Sequence, residues 1–171
     1  MAKLTTTILI ATALLATSAC SKKRPAEIPP APGGPVDQGN GGGYGQNANG
    51  GPGSRADFER SVTSNTVNFA LDSFGLDDRA RSVLDSQAAW LTRYPNVAVS
   101  LEGHCDERGT REYNLALGDR RALSAKNYLA ARGVAPGRIS TISYGKERPL
   151  ALGSDEASLA QNRRAVTIVL N

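Results

Sequence analysis

The sequence predicts an α+β domain, a βαβαβ-type mixed sheet with helices packed on it, behind a long stretch that cannot fold. Three observations carry this. Short segments with strand-like apolar alternation occur along the second half of the chain, and segments of helical period separate them. Strands that alternate with helices in one chain form a sheet covered by helices. Residues 21 to 56 hold almost no large apolar side chain, so they have no surface whose burial could offset the entropy of ordering.

The elements follow in order. "TVNFAL" (66–71) sets Val67, Phe69 and Leu71 on one face and reads as the first strand. In "DDRARSVLDSQAAWLTRY" (77–94), Ala80, Val83, Leu84, Gln87, Ala88 and Leu91 recur at helical spacing; Asp77 or Asp78 suits the N-cap, and Pro95 stops the helix. "VAVSLE" (97–102) is the second strand. A loop leads to a helix from about Glu112 to Arg132, with Gly133 at the C′ position. "RISTISY" (138–144) is a third strand, a short helical piece lies near 155–161, and "AVTIVL" (165–170) is a fourth strand. No internal repeat is evident.

Ahead of this domain, Lys3 and the apolar "LTTTILIATALLAT" have the form of a secretory signal, too short and too rich in Thr and Ala for a good membrane span. Ser18 and Ala19 run straight into Cys20, which resembles the lipobox of bacterial lipoproteins, although Thr17 stands where that family favours Leu. The resemblance implies that Cys20 becomes an acylated N-terminus. Ser21 after it implies export to the outer membrane. The expected organisation is therefore a signal peptide over 1–19, the acylated Cys20 with a disordered linker over 20–56, and a folded domain over 57–171. Taken as a coil, the linker spans roughly 30–35 Å on average; stretched, it reaches on the order of 120 Å.

Composition excludes several function classes. With Cys20 acylated, Cys105 has no intramolecular partner, so the domain is not stapled by a disulfide. The net charge of +4 falls by one when Lys3 leaves with the signal. No basic stripe with interleaved aromatics exists, and nucleic acid is a poor partner.

"GHCDERG" places the single histidine, His104, beside Cys105 and Asp106. A metal site needs three or four convergent ligands, and a Cys–His dyad needs its members within hydrogen-bond reach. Adjacent residues at a strand end point to opposite faces, and no second histidine completes a set. No metal, no cofactor and no catalytic residue is expected; Cys105 reads as a small buried apolar residue. Alternation would set His104 and Asp106 on one side, with Asp106 in a strand-to-helix loop. On the following helix, Gly118, Ala122, Ala125 and Leu129 form the stripe that should face the sheet, while Leu123 does not fit it. Asn114 and Arg121 share an edge beside that stripe, which makes Arg121 a half-sheltered guanidinium; Arg120 points to solvent. A sheltered carboxylate and a sheltered guanidinium suit a ligand that carries both an ammonium and a carboxylate. They equally suit a structural salt bridge between Asp106 and Arg121, and spacing does not choose between the two.

"EGHCDERGTREYNLALGDRRALSAKNYL", with "VNFALDSFGL", "SYGKERPLALGSDE" and "QNRRAVTIVL" in order around it, resembles the OmpA-like peptidoglycan-binding domain family over roughly 66–171. The resemblance implies noncovalent binding of the peptidoglycan stem peptide at meso-diaminopimelate. Asp106 would take the ligand's ammonium and Arg121 its carboxylate; Asn114 and Leu117 would line the pocket, and Arg164 of the "NRR" motif would add a contact. Two positions depart from the family pattern: Cys105 replaces a usual Thr, and Ala70 a common Asp. Likeness to the family's lipoprotein members further implies a tether in the Tol envelope machinery that serves cell division and membrane integrity, with TolB and other Tol proteins as partners. The alternatives are an OmpA-like lipoprotein outside the Tol system and a periplasmic thiol enzyme using Cys105.

Overall fold

The structure, a computed structural model, describes residues 50–170. The signal segment, Cys20 and nearly all of the linker lie outside the described residues. The first element, α1 (Arg55–Ser61), was not expected from the sequence and begins ahead of the boundary placed before Asp57. Its cap explains it. Ser54 accepts the Asp57 N–H at 3.1 Å, and the Asp57 carboxylate reaches back past the cap to the Gly53 N–H at 3.0 Å, a variant of the capping box that fixes the entry to the helix. Phe58 then packs edge-on against Trp90, with ring centroids 5.0 Å apart. The signal was the Ser-x-x-Asp spacing, hidden at the end of a Gly- and Pro-rich run.

The remaining elements are β1 (Thr66–Asn68), α2 (Asp78–Arg93), β2 (Val99–His104), α3 (Arg111–Ala131), β3 (Ile139–Gly145), α4 (Glu156–Asn162) and β4 (Arg164–Val169). Asp77 caps α2 by accepting the Ala80 N–H at 2.7 Å. α3 ends in a turn with Gly133 at φ +94°, a conformation that favours glycine. The four strands lie in the order β1-β4-β2-β3. β2 and β3 run parallel, and β4 is antiparallel to both of its neighbours. Val67, Phe69, Val99, Leu101, Ile139, Ala165 and Val169 turn one sheet face into the core, where apolar residues of α2 and α3 meet them.

β1 is shorter than the alternation suggested. After Phe69 the chain leaves the sheet and turns through Asp72, at φ +50°, so Leu71 is half exposed instead of sharing the core face. At the other side of the core, α3 approaches β2 through two glycines. A Cβ on Gly103 would fall 1.8 Å from the Gly118 carbonyl oxygen, and one on Gly118 would fall 2.3 Å from Ser143 Oγ. This contact brings the first half of α3 against the end of β2, where the predicted site residues lie.

Candidate functional site

A narrow cleft opens where β2 ends. Leu71 and Asp72 come from the turn after β1, Cys105 and Asp106 from the loop after β2, Asn114, Leu117 and Arg121 from α3, and Arg163 from the residue before β4. It is a closed crevice, with no room for even a water-sized sphere between these side chains. A larger groove, between β1 and the starts and ends of α2 and α4, contains none of the predicted residues.

Asp106 is 5% exposed. Its Oδ1 accepts the Arg108 backbone N–H at 3.2 Å. Its Oδ2 accepts from Arg108 Nε at 3.2 Å, from Arg108 Nη2 in a close contact, and from Arg163 Nη1 at 3.3 Å. Burial pushes the Asp106 carboxyl up, but these hydrogen bonds from Arg108 and Arg163 outweigh it and hold the group below its ordinary value. A direct Asp106–Arg121 ion pair is not present; Arg108 and Arg163 supply the partners.

Arg121 departs most from expectation. It is fully buried, not half sheltered. Nε donates to the Ser73 carbonyl at 2.9 Å, Nη1 to that of His104 at 2.8 Å, and Nη2 to that of Ala70 at 3.1 Å. The guanidinium also lies 5.2 Å from the Phe69 ring centroid. The helix edge looked peripheral on a wheel, but the turn after β1 folds over it. Arg121 thereby ties that turn to the end of β2, and its guanidinium also reaches the Cys105 thiol beside the cleft.

Asn114 is buried and donates to the carbonyls of Arg108 at 2.7 Å and Thr110 at 3.0 Å, pinning the loop that carries Asp106. Leu117 gives the cleft an apolar wall. Of the "NRR" pair, Arg163 borders the cleft, and Arg164 is placed elsewhere. Arg164 donates to the carbonyls of Asn162 and Arg148, disfavours a charge on nearby His104, and is itself favoured as a cation by Glu102. Neither arginine is a solvated edge, since both are buried. Strand parity could have separated them: Ala165 faces the core, and the residue two before it keeps to that side.

His104 and Asp106 do not share a side. The β2–β3 register shifts between Gly103 and His104, and β2 ends there, so alternation does not carry through to Asp106. The His104 ring packs against Tyr144 at 5.5 Å, with Glu102 at 3.9 Å. Burial, aided by Arg164, holds its pKa down to about 4. Cys105 is buried, and burial pushes its thiol up, away from the thiolate that a nucleophile requires. Among the described residues no group of three His, Cys, Asp or Glu side chains could hold a metal. Arg120 is exposed over Phe74, and Leu123, which did not fit the stripe, is exposed. Asp72, Arg108 and Arg163 were missed; the first two sit in irregular loops, where no periodicity marks them.

A sequence profile of the OmpA family matches residues 68–163, across the whole cleft. The chain belongs to the OmpA family. It is 52% identical over 118 residues to a peptidoglycan-associated lipoprotein of Rhizobium meliloti (strain 1021), covering 69% of this chain and 66% of that relative. A protein of the same name from Brucella melitensis is 51% identical, with 70% of its length covered. In structure, the peptidoglycan-associated lipoprotein of Burkholderia pseudomallei matches with a TM-score of 0.61 at 40% identity, over 69% of this chain and 95% of that one. The C-terminal domain of Helicobacter pylori MotB shares the OmpA-family fold at 20% identity and a TM-score of 0.58. These OmpA-family relatives are named as lipoproteins associated with peptidoglycan and not as enzymes.

Proposed function

We propose that the domain binds the peptidoglycan stem peptide noncovalently at meso-diaminopimelate and, with Cys20 acylated in the outer membrane, tethers that membrane to the cell wall from its periplasmic side. In this reading Asp106 receives the ligand's ammonium and Arg121 its carboxylate, while Asn114 and Leu117 shape the pocket and Arg164 supports it from outside. The observation that carries it is the cleft itself, where carboxylates and guanidinium groups stand side by side against apolar walls. Such a surface complements a zwitterionic side chain, and charge-assisted bonds strengthen where water is excluded. The names of the relatives point the same way. A role with TolB in the Tol machinery rests on family likeness, and co-purification of TolB would separate it from an OmpA-like lipoprotein outside that system.

The test is sedimentation of the full-length protein with purified peptidoglycan. Wild type and Arg120→Ala are expected in the pellet. Asp106→Asn, folded by its thermal melt, should bind about 10-fold more weakly or worse. Equal sedimentation of all three would move the site elsewhere on the domain, and a folded wild type that stays in solution would remove the tether.

A further inference from the structure

We infer that the Arg108 side chain is a built-in stand-in for the ligand's ammonium: it holds Asp106 and is displaced when the ligand binds. The inference rests on the stem-peptide reading above and concerns what the ligand's ammonium exchanges with at the same site.

Asp106 is held by two guanidinium groups that differ in what else holds them. Arg163 has a side chain only 8% exposed; it also donates to the Phe69 carbonyl at 3.2 Å and to Glu156 at 2.8 Å. Freeing it would strand a buried charge, which is strongly unfavourable. The Arg108 side chain is 41% exposed, and its other ionic contact is Glu156 at 3.6 Å, itself mostly in solvent. Its guanidinium can turn outward and be hydrated at once.

The backbone beneath Arg108 does not share this freedom. Asn114 holds the Arg108 carbonyl, and Lys146 Nζ holds those of Glu107 and Gly109 at 3.1 and 2.7 Å. A rotamer change, not a loop movement, is therefore the motion the site permits. That motion is also required electrostatically. With Arg108 in place, Asp106 Oδ2 receives three guanidinium N–H groups, and an incoming ammonium meets positive charge. With Arg108 turned out, one cation replaces another, and Asp106 stays neutralised throughout.

An exchange of this kind predicts behaviour that a merely structural ion pair would not show. Arg108→Gln removes the internal competitor and should tighten binding of a soluble stem peptide bearing meso-diaminopimelate by about 2–5-fold, the upper range of an exposed ion pair. Arg108→Lys should bind as wild type does. Acetylating the side-chain amine of the ligand should abolish the gain. Binding to wild type trades one ion pair for another and should change little between about 50 and 300 mM salt, whereas binding to Arg108→Gln should weaken measurably. The experiment is titration of the full-length protein, in mild detergent, with the peptide and its acetylated form. Unchanged affinity in Arg108→Gln would show that Arg108 is not displaced, and weaker binding would make it a direct ligand contact; either overturns the inference. If wild type fails to bind the peptide while remaining folded, the stem-peptide reading fails instead.

Discussion

The two sides of the cleft are built on different principles. The inner wall joins Gly103, Gly118, Arg121 and Arg163, where backbones touch and the guanidinium groups are buried and multiply bonded. The outer lip carries Leu71, Asp72, Phe74, Arg108 and Tyr113, whose side chains are exposed. Asp72 receives a hydrogen bond only from the Tyr113 hydroxyl among the described residues, at 3.3 Å. The difference teaches that charge type does not reveal role. Arg108 and Arg121 both lie within the span that identifies the family, yet the Arg108 side chain is 41% exposed while Arg121 is buried on three backbone carbonyls. Substitutions in the wall should be read first in stability, and substitutions in the lip first in binding.

The largest effect should come from the glycine contact. Gly103→Ala places a methyl 1.8 Å from a backbone oxygen, and no side chain can yield to relieve it. α3 must move off β2, with a loss of about 3 kcal/mol or more, enough to leave much of a marginally stable domain unfolded. Chemical denaturation checks this, and a variant that melts like wild type would show that α3 and β2 are not packed this closely.

Arg121 comes next. Arg121→Met keeps much of the volume and removes the donors to three carbonyls. Those of Ala70 and Ser73 can turn to water, but that of His104 belongs to a buried residue. A loss of about 2–3 kcal/mol is expected in urea unfolding. Weaker peptidoglycan binding by this variant would not by itself show a ligand contact, and for that reason Asp106→Asn is the cleaner probe. If Arg121→Met keeps full stability while losing binding, Arg121 belongs with the lip in function, and the division between the two sides fails.

How much of this could be read from the chain depended on whether a position sits in a regular element. α2, the later strands and the apolar stripe of α3 were legible because their period is enforced by burial of one face. Asp106, Asn114, Leu117 and Arg121 were found together because the family motif runs through them, and the cleft brings all four to one place. The burial of Arg121 was not legible. It depends on a turn fifty residues earlier folding over the helix edge, which no local pattern encodes. Arg163 differs: the sequence expectation falls on its neighbour Arg164, although strand parity counted back from Ala165 favours Arg163 on the cleft side.

His104 gives the smallest predicted effect and joins the wall to the opposite sheet face. Its carbonyl accepts from Arg121, while its ring lies among Tyr144, Glu102, Arg148 and Arg164. Its Nδ1 finds no partner among the described residues, and the ring is held by packing on Tyr144 and by a hydrogen bond with the Arg148 backbone. The folded pKa of about 4 lies below the ordinary 6.5, so the fold favours the neutral ring. The unfolded chain takes up a proton first as pH falls, and stability is therefore full above about pH 6.5 and declines toward pH 4. Between pH 7 and pH 5 the loss should be about 2 kcal/mol. Asp106, whose pKa is lowered, adds a loss of the same sign only in the more acidic range, so the two windows separate. Urea midpoints at pH 7 and pH 5 measure the effect, and His104→Leu should flatten it. A wild type equally stable at both values would mean that the ring can be protonated in place, and the wall would then be open to solvent from behind.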